Sequence, residues 1–132
     1  MKRKVLLVED NEQNIYLAAF LLEKGGYDVV QARRPSEALR LARETRFDLV
    51  LLDIELPETD GYALAGQLRR LADMTDVPMI AVTSYAMVGD REKAIAAGCT
   101  DYIEKPIDPE TFVVQVARHL SVEKDDESCL ES

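Results

Sequence analysis

Three unbroken apolar runs, Val5-Leu6-Leu7-Val8, Leu49-Val50-Leu51-Leu52 and Met79-Ile80-Ala81-Val82, constrain this chain more than any other feature. Each has the length of a strand and lacks polar-apolar alternation, the pattern of a strand covered on both faces. Between the runs lie longer stretches whose apolar residues recur at helical spacing: Ile15, Ala18 and Leu22; Ala38, Leu41 and Ala42; Leu64, Leu68 and Leu71; Val113, Val116, Ala117 and Leu120. Strands alternating with amphipathic helices predict a parallel sheet, because parallel neighbours need a long crossover between them and a helix supplies it.

Two more strands complete the pattern. Tyr27 to Gln31 follows the Gly25-Gly26 break and Asp101 to Glu104 precedes Pro106; both are more polar, which predicts shallower burial. Ser36 reads as the N-cap of the second helix. The fourth helix, Ser84 to Ala97, carries Asp90-Arg91-Glu92-Lys93 in its middle and should hold the core most weakly. Right-handed crossovers then favour an α/β fold with a doubly wound, five-stranded parallel sheet in the order 2-1-3-4-5 and helices on both faces. At 132 residues and 47% hydrophobic content one core can be filled. The strand-helix pattern occupies residues 1–121; from Val122 the run Glu123-Lys124-Asp125-Asp126-Glu127 predicts an acidic, disordered tail over 122–132.

Charge narrows the partners. With 25 acidic and 16 basic residues the net charge is −9, which argues against nucleic acid and anionic membrane surfaces and in favour of proteins or cations. No apolar run spans a bilayer and no signal sequence opens the chain, so a cytoplasmic location is expected. The two cysteines, Cys99 and Cys129, make neither a disulfide framework nor a thiolate metal site, and Cys99 is expected to be packed. His119, the single histidine, falls on a helix face remote from every strand end.

In parallel α/β sheets ligands bind beyond the carboxyl ends of the strands. Those ends carry Glu9-Asp10, Asp53, Thr83 and Lys105, so carboxylates, a hydroxyl and an ammonium share one rim. Crowded carboxylates are tolerated around a shared proton or a cation, and an all-oxygen set suits Mg²⁺. A carboxylate beside such a cation can attack phosphorus and form an aspartyl phosphate, while Lys105 and Thr83 hold the remaining phosphoryl oxygens.

These residues resemble the receiver domain of two-component response regulators. Val5-Leu6-Leu7-Val8-Glu9-Asp10-Asn11 is similar to that family's first strand and acidic pair. Asp53-Ile54-Glu55-Leu56-Pro57-Glu58-Thr59-Asp60-Gly61 is similar to its phosphoacceptor segment, Ala81-Val82-Thr83-Ser84 to its switch hydroxyl, Ala97-Gly98 and Asp101-Tyr102 to the approach to strand five, and Lys105-Pro106 to its Lys-Pro pair. The resemblance covers about residues 3 to 121 and implies a flavodoxin-like fold. It implies that Asp53 is phosphorylated, that Asp10 and Asp53 bind Mg²⁺ directly with Glu9 acting through water, and that the backbone carbonyl of Glu55 adds a ligand. It further implies that Thr83 and Lys105 bond the phosphoryl oxygens, that Tyr102 is the aromatic switch, and that the Lys105-Pro106 bond is cis. The donor would be a histidine kinase or a histidine phosphotransfer protein. Output would pass to a protein partner on the face of the fourth helix, fifth strand and fifth helix, with a phosphorylation-dependent dimer as a further expectation.

Glu55 and Tyr85 lie beside the site at variable positions and are expected to tune the aspartyl-phosphate lifetime. Leu56, where the family often has Met, is a conservative apolar exchange. Within the family, the opening Met and the tail favour a single-domain regulator over a receiver segment of a hybrid kinase or longer regulator. An enzyme reading, a phosphohydrolase of the haloacid dehalogenase type, wants a second Asp two residues after the nucleophile, where this chain has Glu55. A receiver-like module that is never phosphorylated is the third class, and the intact acidic cluster argues against it.

Overall fold

A computed structural model describes residues 2–56, 60–71, 74–84 and 89–131, with side chains described as far as residue 120. Strand and helix alternate through β1 (Lys4–Val8), α1 (Glu12–Lys24), β2 (Asp28–Ala32), α2 (Pro35–Glu44), β3 (Leu49–Asp53), α3 (Gly61–Arg69), β4 (Met79–Thr83), α4 (Asp90–Ala97), β5 (Asp101–Glu104) and α5 (Pro109–Glu131). The five strands pair in parallel in the order β2-β1-β3-β4-β5, as the crossover argument predicts.

Successive strand residues point to opposite faces, so each apolar run feeds two cores. Leu6, Val8, Val50, Leu52, Met79 and Ala81 pack with Ala38, Leu64, Leu68 and Ala94 on the side of α2, α3 and α4. Val5, Leu7, Leu49, Leu51, Ile80 and Val82 pack with Ile15, Leu22, Phe112 and Val116 on the side of α1 and α5. Every residue of β3 and β4 is buried, which is the physical reason those runs show no alternation. The edge strands β2 and β5 are only partly buried, as their polarity predicts.

Local chemistry moved several boundaries. The Tyr27 N–H closes onto the Leu22 carbonyl at 3.0 Å in the turn after α1, so β2 starts at Asp28 and runs one residue past Gln31. The second helix begins at Pro35 and is capped by Arg34, not by Ser36: proline's fixed φ suits the first helical position, and Glu37 Oε1 instead accepts the Arg33 N–H at 2.8 Å. Of the predicted fourth helix, residues 90–97 form α4, while 85–88 lie outside the described residues. The backbone of residues 121–131 continues α5 where the composition predicts a disordered tail; extending an existing helix requires no new nucleus.

Helix α4 buries only Ala94, in keeping with its charged sequence. Its C-terminal end is nevertheless tied down. The Arg69 guanidinium donates from Nε (3.0 Å) and Nη2 (2.6 Å) to the Gly98 carbonyl, and from Nη1 to the carbonyls of Met74 and Val77 (2.7 Å to the latter). One planar side chain thus joins the end of α3, the connection to β4 and the cap of α4. Cys99, beside this clamp, is buried as expected.

Candidate functional site

The strand order reverses direction at β1 and β3, and the crevice beyond their carboxyl ends is where such a sheet leaves room for a ligand. Chain direction places Glu9 and Asp10 just past β1, Asp53 at the last position of β3, Thr83 at the last position of β4, and Lys105 just past β5. The ladders run on beyond the strands: Glu9 N–H donates to Ala32 O (3.0 Å), Ile54 N–H to Val82 O (3.0 Å) and Lys105 N–H to Thr83 O (2.8 Å). Backbone pairing therefore holds the site residues level with one another.

Glu9, Asp53 and Thr83 are the buried polar residues of the described chain, at 3%, 2% and 3% exposure. Burying carboxylates without compensation is costly, so partners are expected, and they are present. Lys105 Nζ lies 3.1 Å from Asp53 Oδ1, 3.5 Å from Glu9 Oε1 and 3.9 Å from Glu55 Oε1. The Glu55 N–H donates to the same Asp53 Oδ1 at 2.9 Å, so an ammonium and an amide together orient the Asp53 carboxylate. The Asn11 N–H donates to Glu9 Oε2 at 3.2 Å, and the Asn11 side chain caps α1 by accepting from the Asn14 N–H at 2.9 Å.

The charges act on one another. Burial, reinforced by repulsion from Asp53, pushes the Glu9 carboxyl up to about 7. Burial works against the charged form of Lys105, but attraction from Glu9, Asp53 and Glu55 outweighs it and raises the ammonium above its usual value. The carboxylate oxygens of Glu9, Asp10 and Asp53 lie within 4.8 Å of one another, with Asp10 exposed at the mouth. A cluster of hard oxygen donors with one open side fits a small divalent cation such as Mg²⁺, which keeps several waters and takes few carboxylates.

The turn after Asp53 depends on close packing. Gly61, the first residue of α3, sits against the backbone of Ile54, and a Cβ there would collide with the Ile54 Cα and carbonyl. Its N–H donates to Ile54 O at 3.1 Å, and Asp60 Oδ1 caps the helix by accepting the Tyr62 N–H at 2.9 Å. Residues 57–59 of the predicted acceptor segment lie outside the described residues, as does Tyr85.

Glu9, Asp10, Asp53, Thr83 and Lys105 thus converge as the strand ends predict. Tyr102 lies in β5, the strand next to the β4 that carries Thr83, partly buried against the core on the α2–α4 side. His119 stays away from the site; its Nε2 lies 3.1 Å from Asp101 Oδ2. The Lys105-Pro106 peptide is cis, as the resemblance implies. What the sequence reading did not anticipate is the reach of the Glu55 side chain: its Oε2 accepts from Thr83 Oγ1 at 3.0 Å and from the Ser84 N–H at 2.6 Å. The available signal was a long acidic side chain two residues after a strand-end Asp, in a turn that folds back over the neighbouring strand.

Comparison with known proteins agrees with this geometry. The family described as the response regulator receiver domain matches residues 5–117. The polar-differentiation response regulator DivK of Brucella anthropi is 42% identical over 120 residues, covering 91% of this chain and 98% of DivK. Among solved structures, the receiver domain of the sensor histidine kinase PA1611 from Pseudomonas aeruginosa, with a magnesium ion coordinated in its active-site cleft, is 34% identical with a TM-score of 0.83, covering 92% of this chain and 99% of that one. A CheY-like receiver domain protein from Methanospirillum hungatei is 27% identical with a TM-score of 0.86, over 96% and 99% of the two chains.

Proposed function

This chain belongs to the response regulator receiver domain family, and from that premise we propose that Asp53 is the residue that takes up the phosphoryl group. The observation that carries this reading is a buried carboxylate held at 3.1 Å by Lys105 within the oxygen cluster of Glu9 and Asp10. Receiver domains in general accept phosphoryl groups from histidine kinases or histidine phosphotransfer proteins and signal to output partners. In the proposed step an Asp53 oxygen forms a bond to phosphorus as the bond from phosphorus to the donor's imidazole nitrogen breaks, and the imidazole keeps the electron pair. Asp10 and Asp53 directly, Glu9 through water and the Glu55 backbone carbonyl would hold Mg²⁺, which would supply charge neutralisation to nucleophile and phosphoryl group alike. Lys105 and the Thr83 hydroxyl hold the phosphoryl oxygens.

The new group adds about 1.5 to 2 negative charges and three strong acceptors. Thr83 is drawn toward it, and Tyr102 turns into the space left behind, which alters the surface of α4, β5 and α5 where a protein partner or a second copy docks. The weak seating of α4 supports this choice of moving element. The only chemistry is on the chain's own Asp53. We take residues 1–121 as the receiver unit and 122–132 as an acidic extension of it. A single-domain regulator is supported by the similarity to DivK over nearly its whole length. A receiver within a hybrid kinase is the second reading, favoured by the likeness to the PA1611 receiver domain. Among the described residues no helix is long and apolar enough to cross a membrane.

The test is incubation with acetyl phosphate and Mg²⁺. The expected result is one phosphoryl group per chain in the parent and none in Asp53→Asn; equal incorporation in both proteins would overturn the assignment.

A further inference from the structure

Three donors that face the mouth of the site are the Thr83 hydroxyl, the Ser84 N–H and the Lys105 ammonium. In this structure the Glu55 carboxylate meets all three. Its Oε2 accepts from Thr83 Oγ1 (3.0 Å) and from the Ser84 N–H (2.6 Å), and its Oε1 lies 3.9 Å from Lys105 Nζ. Glu55 is therefore more than a solvated rim residue: its side chain is only 25% exposed and it bridges the end of β3 to the end of β4. An anionic oxygen pair set among a hydroxyl, an amide and an ammonium has the chemistry of a phosphoryl group at the same place.

We propose that the Glu55 carboxylate is a built-in occupant of the phosphoryl-binding donors in the resting state, and that phosphorylation of Asp53 must displace it. This inference rests on the assignment of Asp53 as acceptor, since it concerns the same pocket. It names a contact that Thr83 and Ser84 make before phosphorylation. An incoming phosphoryl group competes with Glu55 for the hydroxyl, the amide and the ammonium. Once displaced, Glu55 no longer fixes Ser84, so the Ser84 amide is released in the same event that captures Thr83. The resting contact thus opposes phosphoryl uptake.

The experiment uses the full chain and two variants. Glu55→Gln removes the charge while keeping the length; Glu55→Asp keeps the charge and withdraws the carboxylate by one methylene. Without Mg²⁺ or a phosphodonor, the Ser84 amide proton is expected far downfield in the parent, as a short bond to a carboxylate requires, and to move upfield in both variants. Phosphoryl uptake from acetyl phosphate with saturating Mg²⁺ is expected to rise about five- to tenfold in both variants, the scale of one ordinary intramolecular hydrogen bond lost. Uptake in all three proteins at equal rates, with the Ser84 amide unmoved, overturns this inference and leaves Asp53 as acceptor. Faster uptake in Glu55→Gln alone also overturns it, because charge repulsion and not occupancy would then be the cause. No uptake in any of the three overturns the acceptor assignment, and this inference with it.

Discussion

At the scale of single residues, the site is built from side chains whose burial demands a partner. Asp53 and Glu9 are tolerable inside the protein because Lys105 stands between them and neighbouring backbone N–H groups complete their bonding. Gly61 shows the same dependence in the backbone. Its missing Cβ lets α3 begin against the Ile54 main chain, one residue after Asp53, so Gly61→Ala must push that turn outward. The expected cost is about 1 to 3 kcal/mol in urea unfolding, the range for overpacking a tight contact. Acetyl phosphate uptake should fall with it, because the displaced turn carries the Glu55 N–H that orients Asp53. An unfolding midpoint equal to that of the parent would show that the turn yields without strain. Most of this site was readable in advance, since strand ends locate residues along the chain axis. The Glu55 bonds were not, because they depend on how far a turn leans across to β4.

At the scale of elements, α4 is the piece whose position depends most on polar ties. Its C-terminal end is pinned through Gly98 by Arg69, whereas its first turn is held from outside by an ion pair, Arg91 Nη1 to Asp101 Oδ1 at 3.2 Å. Asp101 also receives His119 of α5 at 3.1 Å, so one β5 carboxylate links α4 and α5. Burial would raise the Asp101 carboxyl, but the bond from His119, the Tyr102 N–H and the charge of Arg91 outweigh it and hold the group below its ordinary value. A carboxyl depressed in the folded state adds stability above its unfolded value, near 3.9, and that stability is lost as the pH falls through the folded value. Because Arg91 is well exposed, solvent screening keeps the contribution small. His119→Phe is therefore expected to lose about 0.5 kcal/mol at neutral pH, with the difference from the parent shrinking in acid as Asp101 protonates. Urea titrations across the acid range in which Asp101 protonates measure this; a difference that grows as the pH falls through that range would contradict the link. The sequence marked α4 as weakly seated from its charges, but the Arg69 clamp joins residues that are far apart in the chain, and no local pattern announces it.

At the scale of the whole molecule, a sheet covered on both faces supplies the rigidity and its carboxyl edge supplies the function. The two cores use alternate residues of the same strands, so the fold rests on residues that the function does not need. Among the residues whose side chains are described, the cores end at Leu120, and the charged run Glu123-Lys124-Asp125-Asp126-Glu127 beyond it offers little apolar surface to bury. Removal of residues 122–132 should accordingly leave the unfolding free energy within about 0.5 kcal/mol of the parent, as measured by denaturant titration; a larger loss would make the end of α5 part of the folded unit. The sequence by itself determined the fold class, the strand order and the membership of the acidic rim. Continuous apolar runs can be satisfied only by a doubly covered sheet, and right-handed crossovers leave few ways to connect one. Tertiary structure alone decided which groups bond across that rim, because those pairings depend on angles and reach between separate strands. It decided that Arg69 closes α4 onto α3, that Asp101 gathers α4 and α5, and that Glu55 reaches the Thr83 hydroxyl and the Ser84 amide.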